Sequence, residues 1–376
     1  MHEINYMFIV PGFGFGGLEM QTVYRANDAI ELGYNAFLIC DKYSRTFDFS
    51  LLQGINTYPI KQRIKYFDLF YSMKLSKLFM RHDINICVVS STKALSLTII
   101  ARKFSTNKPK IILYQHMQSG LKKKDWFHNW IYRNIDGVIV ITQKMKEELK
   151  TTTIFNEDKI EVVTLGIHLH KFNPKNHNKQ LTKKLFNLPD DKFIIGCVGR
   201  LDIHKDQLTA IKALSLINNE NIILVLVGNK ENEYVDYYNQ MLELINRLDL
   251  HNRVIILPFT DRVPELMNCF DILVHPARSE TFGLVIIEAM ASGLPVIATN
   301  SGGVPEIITH NENGYLFEQC DYNNLAKLLM NLIDDESLRA KFTQTAFFNV
   351  KENYDYVNQR DKYFNFCMKV LFEQNN

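Results

Sequence analysis

Arg200 and Lys205, in "CVGRLDIHKD" (residues 197–206), follow an apolar run that ends at Gly199. Glycine lets a backbone approach a ligand closely, arginine presents a planar fork, and lysine presents a point charge. Two such cations beside a helix N-terminus make a receptor for a diphosphate. The plainer reading pairs them on the surface with Asp202 and Asp206. A second stretch, "HPARSETFGLVIIEAMASGLPVIATNSGG" (275–303), carries two carboxylates, Glu280 and Glu288. Glu280 follows a strand end. Thr281 to Leu284 open a helix, where amides near Gly283 and Leu284 face a phosphate. Glu288 lies on that helix within "LVIIEAMA", where a carboxylate is costly unless it is bonded. A ribose diol supplies two hydroxyl donors that one carboxylate accepts together; the competing reading is a buried Glu paired with a core Arg or His.

Near the start, Gly12, Gly14 and Gly17 fit G-x-G-x-x-G after the apolar run Ile4 to Val10, and Asp41 follows a second run, "AFLIC". The string fits a dinucleotide loop, but alone it is weak. Asp41 reads as a surface residue after the second strand. His116, in "YQHMQSG", follows another strand; a histidine there is more often a structural hydrogen-bonder than a catalyst. No DxD-like pair falls in a convincing loop, so neither a required divalent metal nor any cofactor is expected.

Strand-length apolar runs alternate with amphipathic stretches and must position these residues. In the first half, strands are expected near 4–10, 36–40, 56–59, 84–90, 110–115, 136–141 and 160–164. Helices are expected near 18–32, 66–80, 93–103 and 143–150. The polar segment 171–192 reads as linker and lead-in. The rhythm then restarts with "FIIGCVG", "NIILVLVG", "RVIILP", "FDILVHP" and "PVIAT", rich in Val and Ile as doubly buried strands are. The fold class is α/β: two Rossmann-like doubly wound domains, 1–170 and 193–354, facing each other across a cleft. A C-terminal helix, 355–376, is expected to pack back toward the N-terminal domain. Ligands of such sheets bind beyond the carboxyl ends of strands.

The 376 residues suffice for two domains, and 46% hydrophobic with 22% charged residues reads as globular. No apolar stretch reaches the ~18 residues of a membrane span, and no signal peptide is evident. The six cysteines lie far apart and read as free thiols of a cytoplasmic protein. Net charge is +2 but uneven: residues 1–170 carry 22 Lys+Arg against 15 Asp+Glu, net +7, and the remainder is net −5. Two basic, aromatic-rich stretches stand out, 61–81 and 121–133. They read either as helices with solvated Lys stripes or as a peripheral face resting on the anionic inner-membrane surface. No nucleic-acid motif is present, so no nucleic-acid partner is expected.

"GGLE" near the start, G-R-x-x-x-x-K at 199–205, E-x-F-G-x-x-x-x-E-A from Glu280, and "ASGLPVIATNSGGVPEII" strongly resemble the retaining glycosyltransferases of family four, the group 1 transferases of the GT-B fold. The likeness covers nearly the whole chain; its specific part is 194–318. The resemblance implies sugar transfer from a nucleotide-sugar donor, UDP favoured, with retention of configuration. It puts the nucleotide on the C-terminal domain and the acceptor on the N-terminal one. By position it assigns Gly199, Arg200 and Lys205 to the donor diphosphate, Glu288 to the ribose, and Glu280 to the transferred sugar. Phe259 to Val263 would lie beside the base, and Phe282, Gly283 and Leu284 complete the donor loop. Gly16 and Gly17 would close over phosphates and sugar, and His116 would touch the sugar. Arg200, Lys205, Glu280 and His116 form the implied catalytic set. Two departures stand: "LGIH" (165–168) replaces the usual N-G-V-D, and Met117 replaces a frequent acid after the histidine.

A lipid-linked or surface-glycan acceptor is expected, in lipopolysaccharide, capsule or related polysaccharide synthesis. Rival readings are a nucleotide-sugar epimerase of the same architecture, an NAD-dependent oxidoreductase, and a non-catalytic sugar-nucleotide binder. The family reading accounts for "GGLE" and for the second half of the chain, which the NAD reading leaves unexplained.

Overall fold

The computed structural model describes residues 3–373 apart from 65, 119 and 231. The chain divides into two compact units, Met1–Thr164 with Gln359–Asn376, and Leu165–Asn358. The first holds seven parallel strands: β1 (Asn5–Ile9), β2 (Asn35–Cys40), β3 (Asn56–Pro59), β4 (Ile86–Val89), β5 (Lys110–Gln115), β6 (Gly137–Val140) and β7 (Ile160–Val162), in the order β3-β2-β1-β4-β5-β6-β7. The second holds six: β8 (Phe193–Val198), β9 (Ile222–Val227), β10 (Val254–Leu257), β11 (Ile272–His275), β12 (Val296–Thr299) and β13 (Tyr315–Phe317), in the order β10-β9-β8-β11-β12-β13. Both orders reverse beside the first strand of the unit, as in doubly wound sheets.

These strands form because their residues are β-branched or apolar on both faces. Residues 86–89 and 222–227 are buried throughout. Helices such as Gly17–Glu31, Thr92–Phe104, Gln207–Ser215 and Leu284–Ala291 connect them. In the first unit, the end of the chain supplies Tyr363, Phe364, Phe366, Cys367 and Val370 to the core. Gly137 makes room: a Cβ there would lie 3.0 Å from Val370 Cγ2 and 3.1 Å from the Phe366 ring. In the second unit, Gly196 does the same for Phe270, whose ring would lie 2.2 Å from an added Cβ.

The segment 171–192, read from sequence as linker and lead-in, packs within the second unit. Its helix Lys179–Leu185 is anchored where Lys179 Nζ donates to Asp271 Oδ1 at 2.7 Å. All six cysteines are free, and five are buried, Cys320 being exposed. No helix among the described residues is long and apolar enough to cross a membrane.

Candidate active site

The reversal of strand order between β8 and β11 brings together the loops that follow them. The first begins at Gly199, and Gly228 must also be glycine, since a Cβ there would sit 2.0 Å from Gly199 O. Asp202, fully buried, accepts from the amides of His204 at 2.9 Å and Lys205 at 3.0 Å, which sets the turn that carries Lys205. Cross-links then tie the two loops. Arg278 N donates to His204 O at 2.8 Å, and Arg278 Nη2 donates to Asp206 Oδ1 at 3.1 Å. Lys205 Nζ donates to Glu280 Oε2 at 2.5 Å, and His275 Nε2 donates to the same oxygen at 2.9 Å.

Burial pushes the His275 pKa down, so the ring is neutral and its Nε2–H points to the carboxylate. Burial alone would push the Glu280 carboxyl up; the His275 hydrogen bond and the Lys205 charge outweigh it and hold the group well below the usual carboxylate range. Glu280 is therefore ionised. The loop after β12 fixes its backbone: Gly303 N donates to Glu280 O at 3.1 Å, and a Cβ on Gly302 (φ +58°) would sit 1.6 Å from that oxygen.

Arg200 behaves differently. Its side chain is 59% exposed, with Nη2 3.3 Å from Asp202 Oδ2. Arg200 thus pairs with Asp202, but with a carboxylate that is buried rather than at the surface; Lys205 pairs with Glu280, and Asp206 takes Arg278 instead. Glu288, partly buried, makes no side-chain hydrogen bond or ion pair among the described residues, so no core Arg or His neutralises it. Desolvation raises its pKa to about 7. Gly283 (φ +102°) precedes Leu284, the first residue of its helix. Phe282 is buried, its ring against Tyr354 with centroids 5.8 Å apart. Phe259 follows β10 and is 64% exposed; Val263 opens the short helix Val263–Met267. Three strand steps separate β10 from β11, about 14 Å.

In the first unit, "GGLE" has a local cause: Gly16 N donates to Glu19 Oε2 at 2.9 Å, capping the helix Gly17–Glu31. A Cβ on Gly17 would meet nothing within 4 Å. His116 ends at a cavity of about 730 Å³ beyond the carboxyl ends of β1 to β5. It is 7% exposed, its Nε2 has no hydrogen-bond partner among the described residues, and burial together with the Arg25 charge lowers its pKa to about 3. Asp41, expected at the surface, is instead buried in the lining of this cavity, where it accepts from Tyr43 N at 3.3 Å. An apolar run followed by a charge does not reveal this burial.

The sequence also left His275, Arg278 and Gly302 without a role. His275 was detectable as the one polar residue closing the buried run "ILVH"; Arg278 and Gly302 depend on pairing between loops far apart in sequence.

Residues 15–171 match the model of Glycosyltransferase Family 4, and residues 178–347 match that of the Glycosyl transferases group 1. The chain belongs to glycosyltransferase family four. The dinucleotide-loop reading of Gly12 to Gly17 gives way, because residues 15–17 of that loop and the second half as far as 347 fall within the family matches. Among curated relatives, the capsular polysaccharide biosynthesis glycosyltransferase CapM of Staphylococcus aureus is 32% identical over 208 residues, 54% of this chain and 53% of its own. The UDP-Gal:alpha-D-GlcNAc-diphosphoundecaprenol alpha-1,3-galactosyltransferase of Escherichia coli is 29% identical over 184 residues, 48% of this chain and 46% of its own. The chain thus spans about half the length of the curated relatives it matches. A glycosyltransferase crystal structure from Rickettsia africae superposes with TM-score 0.89 at 22% identity, covering 100% of both chains. This family-four member has the GT-B fold.

Proposed function

We propose that the protein is a retaining glycosyltransferase that moves a sugar from a nucleotide-sugar donor, UDP favoured, to a hydroxyl of a lipid-linked or surface-glycan acceptor. One observation carries this: an ionised Glu280 and a charged Lys205 held together on the two switch-point loops of the second unit, with Arg200 exposed beside them. Arg200, Lys205 and the N-terminus of the helix Leu284–Ala291 would hold the diphosphate. Glu288, without a side-chain partner among the described residues, would accept both ribose hydroxyls, and Glu280 would face the sugar. UDP is favoured because the Escherichia coli relative is named for UDP-Gal.

The departing diphosphate leaves a cationic sugar carbon, and the acceptor hydroxyl enters on the same face. Its proton passes to the leaving phosphate oxygen, so no protein nucleophile is needed. Charge stabilisation on the leaving group supplies most of the rate. His116, neutral through burial, serves as a hydrogen-bond partner rather than as a titrating base.

Acceptors in capsule or lipopolysaccharide synthesis agree with the names of relatives. The surface of the first unit also supports a membrane-borne acceptor. The ring of Phe127 lies 5.5 Å from both Tyr66 and Phe67, so the two basic stretches adjoin. Phe67, Phe70, Met73, Leu121 and Trp126 are exposed among Lys74, Lys77, Lys122 and Lys124. Such a face would attract anionic lipid and insert its rings at the interface. Vesicle binding should weaken in about 0.5 M salt; unchanged binding would remove the electrostatic part of this reading.

The test of function is a donor panel read by nucleoside diphosphate release, with Lys205→Ala and Glu288→Ala as controls. Release that requires acceptor and fails in both controls supports transfer. An altered sugar released without acceptor would indicate an epimerase, and binding without turnover a non-catalytic receptor.

A further inference from the structure

We infer that the cavity of the first unit receives an acceptor bearing a phosphoryl group close to the hydroxyl that is glycosylated, with Lys123, Lys93 and the N-terminus of the helix Thr92–Phe104 holding the phosphoryl and Gln115 and His116 holding hydroxyls. This deepens the transferase reading and rests on it.

At about 730 Å³ the cavity has the size of a small-ligand site, and it lies at the switch point of its own sheet, between the ends of β1 and β4. Two of its lining residues carry orphaned polar atoms. Gln115 Oε1 and His116 Nε2 are buried with no hydrogen-bond partner among the described residues, in residues 6% and 7% exposed. Gln115 is oriented by its amide, which donates to Met117 O at 2.9 Å and leaves the oxygen free. Buried orphans of this kind cost stability unless something fills them, and neutral acceptors match hydroxyl donors.

A second set of lining groups has the opposite character. Lys123 is half-buried, and desolvation pushes its pKa down against the pull of Glu148 and Tyr66. Its ammonium makes no hydrogen bond or ion pair among the described residues. Lys93 and Arg63 also line the cavity, and neither has an ion pair among the described residues. Lys93 stands in the first turn of the helix Thr92–Phe104, which Ser91 caps through Lys93 N at 3.3 Å. The two acids in the lining are engaged with backbone amides: Glu19 with Gly16 and Asp41 with Tyr43. Cations with no close ion pair among the described residues, beside a helix N-terminus, fit a dianionic phosphoryl better than a neutral sugar.

The test uses the full chain saturated with UDP, so that the diphosphate receptor of the second unit is filled. Glycerol 1-phosphate, which has both groups, glycerol, and inorganic phosphate are titrated by calorimetry. Glycerol 1-phosphate should bind more tightly than either fragment. Lys123→Gln should weaken it by about ten-fold or more, with UDP affinity and the melting temperature unchanged. His116→Phe should weaken glycerol 1-phosphate but not inorganic phosphate. Vesicles of phosphatidylcholine with phosphatidic acid identify the source: competition that Lys123→Gln abolishes supports a lipid-borne phosphoryl, and binding of the soluble ester without such competition supports a free one. No binding of any phosphate probe, or binding indifferent to Lys123→Gln, overturns the proposal. Loss of UDP binding in the parent chain would instead strike the donor reading, and the phosphate titrations would still be read through Lys123→Gln.

Discussion

Lys205 and Glu280 come from loops 75 residues apart and meet at 2.5 Å, with His275 closing on the same carboxylate oxygen at 2.9 Å. The pair does two things in the free protein: it orders both switch-point loops, and it keeps a cation and an anion side by side where diphosphate and sugar would join. A bound diphosphate would share Lys205 with Glu280, so the cation needs no large movement before chemistry.

Lys205→Ala should therefore reduce kcat/KM by about 10²–10³. It also strips Glu280 of its charged partner and leaves only the neutral His275. The pair is partly solvated, with side chains 23% and 15% exposed, so the stability loss should be about 1–3 kcal/mol, below that of a fully buried pair. Steady-state kinetics and urea unfolding check the two effects separately.

Glu288 should trade stability for binding. Its carboxyl titrates near 7 in the folded chain against 4.5 as a free group, so the folded state holds the proton more tightly than the unfolded. The resulting destabilisation is absent below pH about 4.5, grows through about 7, and is complete above it. At pH 8, Glu288→Gln should stabilise the free protein by about 1–2 kcal/mol after allowance for partial exposure. The same substitution should weaken UDP. In the parent chain UDP affinity should fall as pH drops below about 7, because the diol needs the ionised acceptor, and Glu288→Gln should flatten that dependence. Chemical denaturation and calorimetry at several pH values measure both.

His116 should leave no mark on the pH–rate profile. Burial lowers its pKa to about 3, so the ring stays neutral throughout the working range. A step near the usual histidine range that vanished in His116→Asn would contradict this.

Two glycines should separate structure from function. An alanine Cβ at Gly302 would collide with Glu280 O at 1.6 Å on a left-handed backbone, so Gly302→Ala should destabilise the second unit by more than about 2 kcal/mol. An alanine Cβ at Gly17 meets nothing within 4 Å, so Gly17→Ala should leave the melting temperature unchanged. If that loop closes on the donor, the same variant should lose activity. Thermal melts beside donor turnover decide the point.

Much of the fold was legible because parallel strands buried on both faces read as uninterrupted Val/Ile runs. The strands of the first unit all fall near expected positions, although β3 (Asn56–Pro59) is a half-buried polar run and β7 (Ile160–Val162) is broken by Glu161. In the second unit, β13 was missed: Tyr315–Phe317 is short and contains no Val or Ile. The helix Glu336–Asn353 was missed as well, since its buried contacts are only Phe342, Ala346 and Val350. Arg200, Lys205, Glu280 and Glu288 were legible as residues, because charge at a strand end or in an apolar helix is unusual. The partners of Lys205 and Glu280 were not. The Lys205–Glu280 and Arg278–Asp206 links depend on which loops the strand order makes neighbours, and Asp41 was misplaced for the same reason.

The most direct measurement is calorimetric titration of UDP into the parent chain and into Arg200→Ala, Lys205→Ala and the double variant. The expected result is micromolar-range binding in the parent, weakened by about ten-fold or more in each single variant and lost in the double one. UDP affinity indifferent to all three substitutions, in proteins that keep their fold, would contradict the assignment of these cations to the diphosphate.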